Sequence, residues 1–319
     1  MATLPSKCLV FSALMVLACA VPPASCQPSD AKKLLRDTQS LDARSAGGKS
    51  FQIIARFLAK SAGTPDEAGT YTLLWMSPTE WKEEVRTPDF TQVRLAGAGG
   101  IWEAREPYYQ SLRVWQLLQA LAFSSRLSLW TREKTGKVLQ TERNGLPLRC
   151  VTIKFGGPLR ELCFAKDADR LVSEYYRPAG RTYNFSEYSA IGDRTFPRHI
   201  QVYDGSELAV DFSVTALQEN PSTEGKPLAK PDQAVWRAWC GNPEPALPHP
   251  LPGKGATALK SSVTFFGMIG TDGKWARLRI LESSDPAADE SNLKVESMRQ
   301  FSPATCGGTP VVVDTAFRR

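Results

Sequence analysis

The chain has 319 residues, more than a single compact core usually organises, so two domains are the starting expectation. Hydrophobic residues at 42% and charged residues at 23% exclude a disordered chain and a multi-span membrane protein. The formal charge of +6 is dispersed, with Lys and Arg alternating with Asp and Glu, which excludes a nucleic-acid-binding stripe.

Residues 1–26 differ from the rest. Lys7 closes a short positive segment, and Cys8 to Val21 is an apolar run of 14 residues without a charge. A bilayer span needs about 20 apolar residues, so this run reads as an export signal peptide. Two cleavage readings stay open. Ala18-Cys19-Ala20 fits the small-x-small rule, while Val16-Leu17-Ala18-Cys19 resembles a lipobox that would place a lipid anchor on Cys19.

Ser29 to Ala46 reads as a helix, with Ser29 or Asp30 as N-cap and Gly47-Gly48 as the stop. From Phe51 the period changes to two: Phe51, Ile53, Ala55 and Phe57, then Tyr71, Leu73 and Trp75, then Trp81, Glu83 and Val85. Ala96 to Gly100 is a turn between strands. Tyr108 to Phe123 returns to helical spacing, with Pro107 at its first turn and apolar residues around most of its circumference. Such a helix must be buried on several faces or cover an apolar hollow.

Strands resume at Leu139–Glu142, Arg149–Phe155, Glu161–Ala165, Arg170–Tyr176, Arg181–Tyr188, His199–Asp204 and Glu207–Leu217, with Asp204-Gly205 as a hairpin turn. About ten or eleven alternating strands make a sheet that curls, closes or splits, with one wet face and one face on a core or cavity. A turn at Gly156-Gly157 puts Cys150 directly opposite Cys163, either as a cross-strand disulfide or as two facing buried thiols. Cys240 and Cys306 would by elimination join the linker to the last domain, although four cysteines allow three connectivities. Residues 221–252 are proline-rich and read as a semi-rigid linker with a tryptophan patch at Trp236 and Trp239.

Enzyme chemistry finds no support in these residues. His199 and His249 stand apart, in neither a metal-ligand nor a catalytic spacing, and no GxSxG elbow, Walker loop or dinucleotide fingerprint is present. Glu83 and Glu84 are adjacent on a strand, so they point to opposite faces and read as a solvated edge. Asn184-Phe185-Ser186 meets the glycosylation spacing by chance. No cofactor and no metal is expected.

Two family resemblances rest on particular residues. Phe265 and Ile269 before Asp272-Gly273, Arg279 to Pro286 after it, Phe301-Ser302-Pro303-Ala304, and Gly308-Thr309-Pro310-Val311 opening a final strand resemble the TonB C-terminal domain over 253–319. That resemblance implies partner binding by an exposed strand edge, with Val311, Val313, Thr315 and Phe317 as the partner-binding residues. The missing uncleaved anchor and the short proline segment set the chain apart from an energy transducer.

The opening helix, the pair GTYTLLWMSPTEWKEEV, the apolar helix and the run YNFSEYSAIGDRTFPRHIQVYDG resemble the LolA/LolB-type lipoprotein carriers over 27–220. That fold is an unclosed β-barrel capped by helices around an apolar cavity. The resemblance makes Phe57, Leu73, Trp75, Trp81, Trp115 and Leu118 the candidate lining of a ligand site.

The expected molecule is therefore α+β and β-rich: an unclosed antiparallel barrel with capping helices, followed by a small strand-strand-helix-strand domain. Its expected role is non-catalytic and periplasmic, binding a lipid or acyl chain and docking an envelope protein, with no nucleic acid and with membrane association only through a lipid anchor. The alternative is a protein-protein adaptor, or an energy-transduction-related protein, with no ligand cavity.

Overall fold

The computed structural model describes residues 28–45, 47–60, 66–97, 99–122, 134–154, 159–221, 228–238, 246–249 and 262–319. The signal segment 1–26 with Cys19, Phe123, the Gly156-Gly157 turn, Trp239 and Cys240 lie outside the described residues.

One antiparallel sheet of thirteen strands dominates the molecule. Its first meander is β1 (Phe51–Ala59), β2 (Glu67–Ser77), β3 (Glu80–Thr87), β4 (Phe90–Gly97) and β5 (Gly100–Glu106). The second is β6 (Lys134–Arg143), β7 (Leu146–Lys154), β8 (Leu159–Ala165), β9 (Leu171–Tyr176), β10 (Arg181–Ile191), β11 (Arg194–Asp204) and β12 (Glu207–Glu219). The meanders join at mid-sheet, where β1 pairs with β12 from Phe51 opposite Glu219 to Ala59 opposite Val210. The remaining strand, β13 (Val235–Ala238), adds to β5. The first and last strands of the row do not meet, so the sheet is curled but unclosed.

This order places β5 near one rim and β6 at the other, and the described part of the connection after β5 lies against the concave side. Helix α2 (Leu112–Leu121) lies on that connection, and α1 (Pro28–Leu41) shares the concave side with it. Alternation along the strands drives this arrangement. Phe51, Ile53, Ala55 and Phe57 of β1 are buried with Tyr71, Leu73 and Trp75 of β2 and with Phe212 and Val210 of β12. Ala31, Leu34 and Leu35 of α1 and Val114, Leu117, Leu118 and Leu121 of α2 close the same core. The ring pairs Phe51–Trp75, at 6.3 Å, and Tyr71–Phe212, at 5.6 Å, lie within it.

Several local expectations are corrected. Helix α1 begins at Pro28, which places Ser29 and Asp30 within its first turn. It ends at Leu41 rather than at Ala46, because Asp42 forms a bridge with Thr195 of β11 and the Ala43 N–H donates to the Thr195 carbonyl at 3.0 Å. Pro107 precedes α2 instead of opening it, and Ser111 is the N-cap, accepting from the Val114 N–H at 3.2 Å. Within the proline-rich 221–252, the proline-free Val235–Ala238 has free N–H groups and joins the sheet, and Leu247–Pro248 (β14) pairs with Phe301–Ser302 (β17).

The C-terminal unit keeps the expected order: β15 (Val263–Ile269), β16 (Trp275–Ser283), helix α3 (Asp289–Ser297) and β20 (Val313–Arg318). Its three strands are arranged β16-β15-β20. The expected continuous final strand is broken at Val312: Thr309–Val311 (β19) folds back on Ala304–Cys306 (β18) before β20 begins. Trp275 crosses the backbone of Gly267, where a Cβ would lie 2.7 Å from its ring, and stacks on Phe317.

Cys150 pairs with Cys163 in register and the two form a disulfide, which resolves the choice between a bridge and facing thiols. Cys306 is also disulfide-bonded. The Cys150–Cys163 bridge closes a loop of 13 residues. A loop of this size is worth about 3 kcal/mol through the entropy of the unfolded chain. The double change Cys150→Ala/Cys163→Ala should lower unfolding free energy by about that amount in a urea titration; an unchanged midpoint would argue that the bridge does not constrain the unfolded chain.

Candidate functional site

The concave face changes character along the sheet. From β9 to β2 it is mainly apolar, with buried Glu174 of β9 paired to Arg160 of β8 and Asp204 paired to Arg181 at one end of β11; from β3 to β5 it carries more charge. Glu83, which the sequence placed on a solvated edge, is buried on this face and ion-pairs with Arg94 of β4, whose guanidinium lies 5.5 Å from the Trp81 ring. Glu84 does point to the other face, where it pairs with Arg86. Gln92 Nε2 donates to Glu103 Oε1 at 2.9 Å, and both residues are buried.

Glu103 belongs to a group of four charges that unites three parts of the chain. Arg105 of β5 reaches Glu103 at 2.7 Å and Asp314 of β20 at 2.7 Å. Arg237 of β13 reaches Glu103 at 2.8 Å and Asp314 at 3.3 Å. The Tyr108 hydroxyl donates to Asp314 at 2.8 Å. Burial works against the Asp314 carboxylate, but Arg105 and Arg237 outweigh it and hold its pKa below the ordinary value. Burial and the neighbouring Asp314 push the Tyr108 phenol up to about 12.

Around this group the C-terminal unit packs on the segment that leads into α2. The rings of Tyr109 and Phe266 are 6.1 Å apart and edge-on, and Glu282 of β16 lies 3.7 Å from Arg113 of α2.

Side chains fasten the N-terminal half of helix α2. The Ser111 hydroxyl donates to Glu67 at 2.6 Å, Arg113 Nε donates to the Lys60 carbonyl at 2.7 Å, and Gln116 Nε2 donates to Asp204 at 3.1 Å. Asp204 also binds Arg113 and Arg181. Burial works to raise its pKa, and those arginines reverse the effect and lower it. At the other end of α2 the Leu121 carbonyl accepts from Arg44, whose guanidinium pairs with Asp42 and lies 5.2 Å from the Phe196 ring. Beside Arg44 is a narrow cleft lined by Leu41, Leu121, Leu171, Phe185, Tyr188 and Ile200 among others. It encloses about 30 Å³, room for about one water.

The structure brings five of the expected lining residues, Phe57, Leu73, Trp75, Trp81 and Leu118, into one buried cluster, while Trp115 is half-buried on α2. The cleft itself is lined by residues of α1, α2 and β9–β11 that single-strand alternation could not distinguish from ordinary core. Of the expected docking residues, Val311 ends β19, while Val313, Thr315 and Phe317 pair with Ile269, Gly267 and Phe265 of β15. All four are half-buried. The other edge of β20 has no partner strand among the described residues.

Serine, histidine and aspartate do meet on the convex face. His199 Nε2 lies 2.6 Å from Asp211, and His199 Nδ1 lies 3.5 Å from the Ser186 hydroxyl. The three occupy the neighbouring strands β10, β11 and β12.

No protein-family model matches the chain, and no curated protein does. Solved structures do. A domain assigned to outer membrane lipoprotein sorting from Vibrio parahaemolyticus is 12% identical over 61% of this chain and 95% of its own, with a TM-score of 0.42. A LolA superfamily protein from Nitrosomonas europaea is 12% identical over 60% and 94%, at 0.41. The MucA/MucB complex of Pseudomonas aeruginosa matches at 12% identity over 89% and 98%, at 0.29. At these identities and TM-scores the likeness assigns no family. No helix among the described residues is long and apolar enough to cross a membrane.

The charged group sets a pH dependence. A depressed carboxylate stabilises the fold above the unfolded pKa of about 3.9, and that stability is lost as pH falls toward the depressed value. Acid unfolding of the parent chain should therefore steepen below about pH 4. Asp314→Asn should flatten part of that slope and cost about 3 kcal/mol at pH 7, because Arg105 and Arg237 lose a partly buried counter-charge. Urea titrations at several pH values check both, and parallel pH profiles for the two proteins would contradict them.

Proposed function

We propose that this is a non-catalytic binding protein of the cell envelope. Its half-barrel admits a hydrocarbon chain beneath helix α2, and its C-terminal unit, a TonB-like docking domain, engages a partner protein. The observation that carries this reading is how α2 is held. The helix roofs a wide apolar face; Ser111, Arg113 and Gln116 tie its N-terminal half to Glu67, Lys60 and Asp204, and Arg44 binds the Leu121 carbonyl in its last turn. Swinging the last turn away from Arg44 would widen the cleft over Phe185, Phe196 and Ile200 without disturbing the sheet ladders. Burial of each methylene there contributes about 0.8 kcal/mol, so an acyl chain needs no catalytic group to be retained. A structural disulfide at Cys150–Cys163 fits an oxidising compartment such as the periplasm.

A second reading is favoured by the small cleft. If about 30 Å³ is all the space the interior ever offers, the half-barrel is a solid scaffold and the protein is an adaptor.

Mass spectrometry of an organic extract, after incubation with palmitate and gel filtration, separates the two. We expect near-stoichiometric retention by the parent chain. Trp115→Gln, at a half-buried position, should retain at least fivefold less while its melting temperature stays within a few degrees. A parent chain that elutes free of palmitate supports the adaptor instead.

A further inference from the structure

Within the docking role proposed above, on which this inference rests, we infer that the partner presents an extended acidic segment and that it pairs with the outer edge of β16. Strand β16 ends its three-stranded sheet, with β15 on one side and no strand on the other among the described residues. Ala276, Arg277 and Arg279 of β16 are exposed. An open ladder edge of this kind supplies main-chain hydrogen bonds to any extended chain laid beside it.

What selects the chain is charge. Arg277 and Arg279 point to the same face, and neither pairs with a carboxylate among the described residues. Most arginines around them are neutralised: Arg105, Arg237 and Arg113 all have acidic partners. The two guanidiniums are nevertheless held in place. Arg277 lies 4.2 Å from the Tyr108 ring and Arg279 lies 5.0 Å from the Tyr109 ring, while Tyr108 is itself fixed by its bond to Asp314. Arg279 Nε makes one long bond, 3.4 Å, to the Ile280 carbonyl.

A guanidinium seated over an aromatic ring keeps N–H groups that can donate to a carboxylate. Same-face residues on a strand are about 6.6 Å apart, which is also the spacing of alternate side chains on an incoming strand. Acidic residues at alternate positions of an extended segment therefore match both arginines in one register. Charges on an edge strand also serve to repel unwanted pairing. A guarding charge has no need of an aromatic seat, and both of these have one.

The test uses the full chain and a fluorescent ten-residue peptide in which glutamate alternates with valine and threonine, read by anisotropy. Its counterpart carries glutamine in place of glutamate. We expect the glutamate peptide to bind at least tenfold more tightly than the glutamine peptide, with an affinity that falls as salt is raised. Arg277→Glu/Arg279→Glu should reverse the preference in favour of a lysine-alternating peptide, a gain that misfolding cannot produce. N-methylation of the peptide amides that face β16 should abolish binding even with all glutamates present.

Equal binding of the glutamate and glutamine peptides overturns the charge assignment. Binding that survives the arginine changes but is lost in Val313→Pro moves the docking edge to β20 and leaves docking through this unit standing. If no peptide binds, the arginines are guards of the edge and peptide docking through this unit fails with them. Arginine-dependent binding to phosphatidylglycerol vesicles without peptide binding puts a lipid surface there instead.

Discussion

A group of four charges, with Glu103 buried and the other three partly buried, joins the two halves of this molecule. Glu103, Arg105, Arg237 and Asp314 come from β5, β13 and β20, and each arginine touches both carboxylates. Removing ions from water is costly, and only a balanced, mutually bonded set offsets that cost. The group therefore determines where the proline-rich segment runs, because β13 must deliver Arg237. It also determines how the C-terminal sheet is turned, because Asp314 must face Arg105. Tyr108 is drawn in by the same carboxylate, and Tyr108 begins the segment that leads to α2.

The sequence made the sheet legible because alternation is a local signal. Phe51 to Phe57 and Tyr71 to Trp75 announce their inner face without reference to any partner, and the Gly156-Gly157 arithmetic aligned Cys150 with Cys163 without a structure. The charged half of the concave face was not legible. Glu83 looks like a solvent residue until Arg94, 11 residues away on the next strand, is placed beside it. Asp314 looks like one more strand residue until Tyr108, 206 residues earlier, reaches it. β13 was hidden for another reason: four residues between prolines carry too little pattern to compete with the composition around them.

The candidate site shows the same division. The apolar set containing Trp75, Trp81 and Leu118 was predictable as a set, but lining and core have the same chemistry, so only the course of α2 separates them. Strand order sets where that course begins. With β1 and β12 adjacent at mid-sheet, β5 and β6 are driven to opposite rims, and α2, on the connection that leaves β5, packs on the apolar face. The roof over the proposed ligand path is thus part of that connection, and the C-terminal unit touches it at Tyr109 and Arg113.

The central pairing of β1 with β12 also governs how the chain can fold. Lys49 and Glu219, joined across the end of that pair, are 170 residues apart. A chain delivered from its N-terminus can form each meander from neighbouring strands as it emerges. Strand β1, however, keeps one edge open until β12 arrives. Contacts of such long sequence separation are slow to form and leave apolar strand edges uncovered in the interval. For this architecture the vulnerable period is the wait for the twelfth strand, during which the residues that later form the sheet's centre are its most exposed edge.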